Sequence, residues 1–142
     1  MLKVIFLSSD HGGYRLKELI KDLLIKNNYT IKDLGCFSLD AVDYPDYAKL
    51  LSDKLEFDSN AQGILFCGTG IGISMAANRF SHIRAALCTT VEMASKSRKH
   101  NNANVLALGG RILPDKLAID IVYEFLHTDF EAGRHRLRVN KI

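Results

Sequence analysis

Short apolar runs alternate with helix-spaced segments along the whole chain, and this alternation restricts the fold more than any other feature. Leu2–Leu7 is apolar apart from Lys3 and stops at Ser8-Ser9-Asp10. Leu16, Leu19, Ile20, Leu23 and Leu24 then recur at i, i+3, i+4, i+7 and i+8, one face of a helix. Tyr29–Leu34, Gly63–Cys67, Arg84–Cys88 and Val105–Leu108 read as further strands. The set Tyr47, Leu50, Leu51 and Leu55, the runs Ile73–Phe80 and Val91–Lys99, and the set Leu117, Ile121, Val122, Phe125 and Leu126 read as helices. Residues 36–46 read as a loop with Pro45 as a breaker, and 131–142 as one more short helix. Five apolar strands separated by helices imply a parallel sheet buried on both faces. With right-handed crossovers this is a Rossmann-like three-layer α/β/α sandwich.

The 142 residues fit one domain spanning 1–142, with no repeat, linker or low-complexity segment. At 47% hydrophobic and 25% charged, disorder, a fibre and a disulfide miniprotein are excluded. No apolar stretch approaches the ~20 residues of a membrane span. The start of the chain runs straight into a strand and shows no secretory signal. Cys36, Cys67 and Cys88 are odd in number and widely spaced, neither a disulfide framework nor a zinc pattern. Reduced thiols fit a cytoplasmic protein. The net charge of +3 is that of residues 131–142 alone, where Arg134, Arg136, Arg138 and Lys141 face only Glu131. Such a tail suits a small anion or an acidic surface rather than a nucleic-acid groove, which needs more charge and interleaved aromatics.

In parallel sheets ligands bind at the carboxyl ends of the strands. This gathers Ser8–Gly13, Cys67–Gly72 and Gly109–Arg111 into one candidate site. Gly68, Gly70 and Gly72 alternate in Cys67-Gly68-Thr69-Gly70-Ile71-Gly72-Ile73-Ser74, which lets backbone N–H groups at a helix start face an anion. It is not the dinucleotide GxGxxG spacing. Cys67 at its mouth would have its thiol pKa lowered by those amides, or be an inert buried cysteine. Asp10, beside His11, is either a helix cap or a group that handles hydroxyls. His100 closes a helix rich in lysine and arginine, where it either complements the dipole or serves as an acid/base. Arg134 and Arg138 share a helix face as a phosphate clamp, or belong to a solvated basic tail. His82 and His127 read as surface residues, and Cys36 and Cys88 as packing or loop residues.

The segments Ser8–Gly13, Asp43–Ala48, Cys67–Ser74, His100–Leu106 and Gly133–Val139 occur in that order, and with them the chain resembles the sugar-phosphate isomerase family that holds B-type ribose 5-phosphate isomerases and galactose 6-phosphate isomerase subunits. The resemblance covers essentially the whole chain. It implies a cofactor-free, metal-free aldose–ketose isomerisation of ribose 5-phosphate and ribulose 5-phosphate through an enediolate, in the non-oxidative pentose phosphate branch. It also implies a homodimer or tetramer with sites shared between subunits. Carried onto this chain, Cys67 moves the proton between C2 and C1, and the amides of Gly68, Gly70, Ile71, Gly72 and Ser74 hold the oxyanion. His100 opens the ring, and Asp10 and Thr69 assist. Tyr44 with Asp43 lines the sugar pocket and Asn101 holds hydroxyls. His11, Arg134 and Arg138 bind phosphate, some from the partner, with Arg111 at the edge. Some members carry Ser in place of Cys67 and use a nearby Glu; here position 76 is Ala, which favours a cysteine base. The His100-Asn101 pair favours ribose over galactose 6-phosphate, and the size of loop 36–46 decides access for allose 6-phosphate. A non-catalytic phosphosugar- or nucleotide-binding module would need neither Cys67 nor His100.

Overall fold

The computed structural model describes residues 3–142; Leu2, the expected start of the first strand, lies outside the described residues, as does Met1. The elements are β1 (Val4–Ser9), α1 (Tyr14–Lys26), β2 (Thr30–Asp33), α2 (Tyr44–Glu56), β3 (Gln62–Cys67), α3 (Ile71–Ala77), β4 (Ala85–Leu87), α4 (Val91–Lys99), β5 (Val105–Gly109), α5 (Asp115–His127) and α6 (Arg134–Val139). The five strands form one sheet in the order β2-β1-β3-β5-β4, and every pairing is parallel. No helix among the described residues is long and apolar enough to cross a membrane.

Strand side chains alternate between faces, and both faces are covered. Ile5, Leu7, Ile64, Phe66, Leu106 and Leu108 pack under α1, α4 and α5, the last through Ile121, Val122 and Phe125. Phe6, Leu65, Val105 and Ala107 pack against Leu51 and Leu55 of α2 and Ile73 and Ala77 of α3. This is why the strand sequences read as unbroken apolar runs: each fully buried side chain contributes about 1.5–3 kcal/mol whichever face it joins. One charged side chain is sealed in. Lys17 of α1 is fully buried and donates to both carboxylate oxygens of Asp33, at 2.9 and 2.8 Å. Burial opposes ionisation of Asp33, yet hydrogen bonds from Lys17, the Gly35 amide and Lys21 hold its carboxyl below the usual range.

Most element boundaries shift by a residue or more from the sequence reading, and two of the differences have a clear physical reason. Pro45 does not break the chain within a loop; it lies in the first turn of α2, where its missing N–H costs no hydrogen bond. The helix after the glycine turn ends at Ala77 rather than Phe80, and Arg79 and Phe80 close turns onto Ala76 and Ala77. From β1 the chain steps outward to β2 and then crosses to β3 on the other side. That reversal opens a crevice between the carboxyl ends of β1 and β3.

Candidate active site

The loops leaving β1, β3 and β5 meet at this crevice through backbone hydrogen bonds. Asp10 N–H donates to Phe66 O at 3.1 Å, Gly110 N–H to Cys67 O at 2.8 Å and Arg111 N–H to Gly68 O at 2.9 Å. Cys67 ends β3 and is 4% exposed. The amide of Gly70 donates to its Sγ at 3.1 Å, which gives negative charge on the sulfur a fixed donor. Gly70 has φ +79°, and a Cβ there would lie 2.6 Å from Leu87 Cδ1 and 2.9 Å from the Leu108 carbonyl carbon. Only glycine makes this turn.

The donors of the glycine turn are fewer than the motif suggests. Gly70 N–H is committed to Cys67, and Ile71 N–H donates to Thr69 Oγ1 at 3.2 Å. Ser74 N–H donates to Gly70 O, and its hydroxyl donates to Ile71 O at 2.8 Å. Ser74 is thus engaged inside α3 and presents no donor to the crevice. Among the described residues the amides of Gly68 and Thr69, and the first-turn amides of Gly72 and Ile73, have no protein acceptor, the last two as at any helix start.

Around the thiol, Asp10 is 7% exposed and its Oδ1 accepts from Gly13 N–H at 3.1 Å. The cap-like bond thus exists, and Oδ2 stays free to meet a ligand. Val42 N–H donates to His11 Nδ1 at 3.2 Å. With Nδ1 accepting, the hydrogen-bond network assigns the neutral tautomer, whose Nε2–H is a donor. Tyr44 opens α2 and lies over the turn, since a Cβ on Gly72 would meet its ring at 2.7 Å. Asp43 precedes it as the N-cap, with no side-chain capping bond. The Arg111 side chain runs beside Gly68. Asp10, His11, Tyr44, Cys67, Gly68, Thr69, Gly70, Ile71, Gly72 and Arg111 therefore share one end of the sheet.

His100, Asn101, Arg134 and Arg138 do not join them. His100 caps the C-terminal end of α4, five residues before β5 begins, whereas Cys67 pairs with Gly109 at the far end of that strand. At ~3.3 Å per residue, β5 alone separates the two groups by roughly 15 Å. At this second end Glu131 N–H donates to Lys99 O at 3.1 Å, which brings α6 to the tail of α4. Asn101 lies beside Asn78, Arg84 and Ile142 around a separate hollow.

Sequence reasoning passed over His135. Its ring stacks on His100 at 4.2 Å between centroids and 14° between planes. It is the buried residue of α6. Burial, His100 and Arg134 push its pKa down, with Glu131 opposing and Arg138 adding to the shift. Its signal was a lone histidine between two arginines on an otherwise exposed helix. His100, Glu131 and His135 place potential ligand atoms within 4.8 Å of one another, the one such group among the described residues. The near-parallel rings direct their lone pairs side by side rather than to a point, so the geometry is that of a stacked pair.

Two further histidines make contacts although His127 is exposed, as expected, and His82 half-buried. His127 stacks on Tyr123 and pairs with Tyr29 Oη at 2.6 Å, and His82 Nε2 lies 2.7 Å from Ser52 O. Cys36 and Cys88 are buried, and burial pushes the Cys88 thiol up to about 11, with a hydrogen bond to Ser97 opposing.

A model of the family described as Ribose/Galactose Isomerase matches residues 5–142. The chain is 41% identical over 141 residues to ribose-5-phosphate isomerase B of Escherichia coli (strain K12), covering 99% of this chain and 95% of that protein. It superposes on the structure of ribose-5-phosphate isomerase B of Clostridium thermocellum with a TM-score of 0.95 at 47% identity, covering 97% of this chain and 93% of that one. The corresponding enzyme of Mycoplasma genitalium, solved with bound ribulose-5-phosphate, gives a TM-score of 0.96 at 44% identity over 99% of this chain and 94% of that one.

Proposed function

The chain belongs to the ribose/galactose isomerase family, and we propose that it interconverts ribose 5-phosphate and ribulose 5-phosphate with Cys67 as the base at carbon. The observation that carries this is the Cys67 thiol at the mouth of the glycine turn, with the Gly70 amide fixed on its sulfur and free helix-start amides beside it. An aldose–ketose isomerisation needs these two parts, a base beside the carbon and donors where oxyanion charge develops. A relative of closely similar structure holds ribulose-5-phosphate.

In the reaction Sγ, as thiolate, takes the C2 proton of the open aldose. The electron pair forms the C1=C2 bond and charge moves onto O1, facing the amides of Gly72 and Ile73. The proton returns to C1, the O2 proton passes to O1, and O2 becomes the ketone. Asp10 and Thr69 hold the hydroxyls, Tyr44 walls the sugar, and His11 Nε2–H and Arg111 face the phosphate side. His100 protonates the ring oxygen, Asn101 holds hydroxyls, and Arg134 and Arg138 clamp phosphate. Because these four sit at the opposite end of their own sheet, a second copy supplies them: in a two-fold dimer each chain's α4–α6 end docks on the other's crevice. No step needs a cofactor.

The test is ribulose 5-phosphate formation from ribose 5-phosphate, with galactose 6-phosphate and allose 6-phosphate as parallel substrates. The expected result is turnover of the pentose phosphate well above both hexose phosphates. Faster turnover of a hexose phosphate would overturn the substrate assignment, and no turnover of any would overturn the isomerase role.

A further inference from the structure

A polar hollow of about 350 Å³ opens at the N-terminal end of the sheet, lined among others by Lys3, Gln62, Arg84, Arg98, Asn102 and Asn104. Three of these are cations, and none has a carboxylate within 4 Å among the described residues. Arg98 is 8% exposed; its Nε donates to Thr128 O at 3.0 Å and its Nη1 to Asn102 Oδ1 at 3.1 Å and to Ala103 O. Arg84 Nε donates to Asn102 O at 2.9 Å. These bonds fix both guanidinium planes; among the described residues no protein acceptor takes Nη2 of Arg98 or either terminal nitrogen of Arg84. The cations also oppose one another. Burial and then Arg98 depress the Lys3 pKa, with Asp129 opposing; burial and Arg84 depress that of Arg98, again against Asp129.

Gln62 adds an independent sign of a ligand. It is 4% exposed, and its Oε1 has no hydrogen-bond partner, the one buried side-chain atom among the described residues left so. A buried carbonyl without a donor is costly to leave unmade, and at the wall of a hollow a ligand hydroxyl can supply the donor. The acids of the lining limit the charge that fits. Glu56 is exposed and Asp58 accepts from Asn60 N–H at 3.1 Å, which disfavours a polyphosphate.

We infer that this hollow binds a small phosphate monoester bearing hydroxyl groups, with the phosphate on the terminal nitrogens of Arg84 and Nη2 of Arg98 and a hydroxyl donating to Gln62 Oε1. Guanidinium edges match phosphate oxygens. The site is distinct from the Cys67 crevice, which lies at the other end of β3, the strand that Gln62 begins.

The probe is glycerol 3-phosphate, which has no carbonyl carbon to isomerise, titrated by calorimetry and ³¹P NMR. In an Arg134→Ala/Arg138→Ala chain, which lacks the proposed catalytic phosphate clamp, saturable binding is expected to persist. Adding Arg84→Gln should weaken it tenfold or more. Adding Gln62→Leu should weaken glycerol 3-phosphate strongly and inorganic phosphate little, since only the former brings a hydroxyl. Gln62→Leu alone should keep wild-type melting and isomerase turnover, which separates this result from failure of the isomerase reading. Loss of all saturable binding with Arg134 and Arg138, or binding indifferent to both Arg84→Gln and Gln62→Leu, overturns the site.

Discussion

At the carboxyl end of the sheet three loops are laced together by main-chain bonds, Asp10 to Phe66, Gly110 to Cys67 and Arg111 to Gly68. At the amino end the His100 group is held by a ring stack, one backbone bond from Glu131 to Lys99, and side chains on a six-residue helix. The first arrangement follows from sheet topology: parallel strands deliver their outgoing loops to one place, and backbone bonds keep a thiol and its donors in register. The second is an attachment to the outside of the domain. In the proposed reaction a base with its oxyanion donors needs the rigid end, while groups that bind phosphate and open the ring can arrive from a neighbouring chain.

The largest expected effect strikes the rigid end. Cys67→Ala should lower turnover by a factor of ~10²–10⁴, the usual worth of a positioned proton-transfer group, with circular dichroism and substrate binding unchanged. Near wild-type turnover would remove Cys67 as the base.

The division between the ends can then be broken directly. Cys67→Ala and His100→Ala chains, unfolded together and re-associated, should regain about a quarter of wild-type activity, because in the proposed two-fold dimer about half the pairs would be mixed and each mixed pair would have one whole site. If the mixture stays as inactive as its parents, the two ends do not combine across chains.

A smaller effect sharpens the role of the attached end. His100→Ala should lose most activity on ribose 5-phosphate, whose ring must open. It should lose far less from ribulose 5-phosphate, which has no free O5 to close a furanose ring and can leave as the open aldehyde. Equal losses in both directions would count against ring opening. Arg138→Ala should act on KM rather than kcat, by the ~1.5–3 kcal/mol of a charge-assisted hydrogen bond, or about 10- to 150-fold.

The mildest test compares two thiols. Both are buried in the described structure, but burial pushes the Cys88 thiol up to about 11, so it should stay protonated and resist alkylation at pH 8. Cys67 should be labelled, and sugar phosphate should protect it. Labelling of Cys67 that ignores ligand would detach it from the site.

Strand and helix order was legible because hydrophobic spacing reports which face of each element is buried, and Phe6 and Leu7 sit on opposite faces of a sheet covered twice. The crevice was legible because carboxyl ends of parallel strands converge whatever the strand order. Ser74 was misjudged for a physical reason: a residue four places after Gly70 has its amide inside the helix. Pro45 reads alike in a loop and in a first helical turn, since neither needs its N–H.

The sequence by itself determined the alternating elements, the glycine turn with its thiol, and the gathering of Asp10, His11 and Arg111 around it, all consequences of local spacing and the parallel rule. Only the tertiary structure decided that β5 inserts between β3 and β4, that His135 stacks on His100, and that His100, Asn101, Arg134 and Arg138 stand at the opposite end from Cys67. Periodicity records which side of an element faces the core. It carries no information on which elements become neighbours, or at which end of the sheet a helix tail comes to rest.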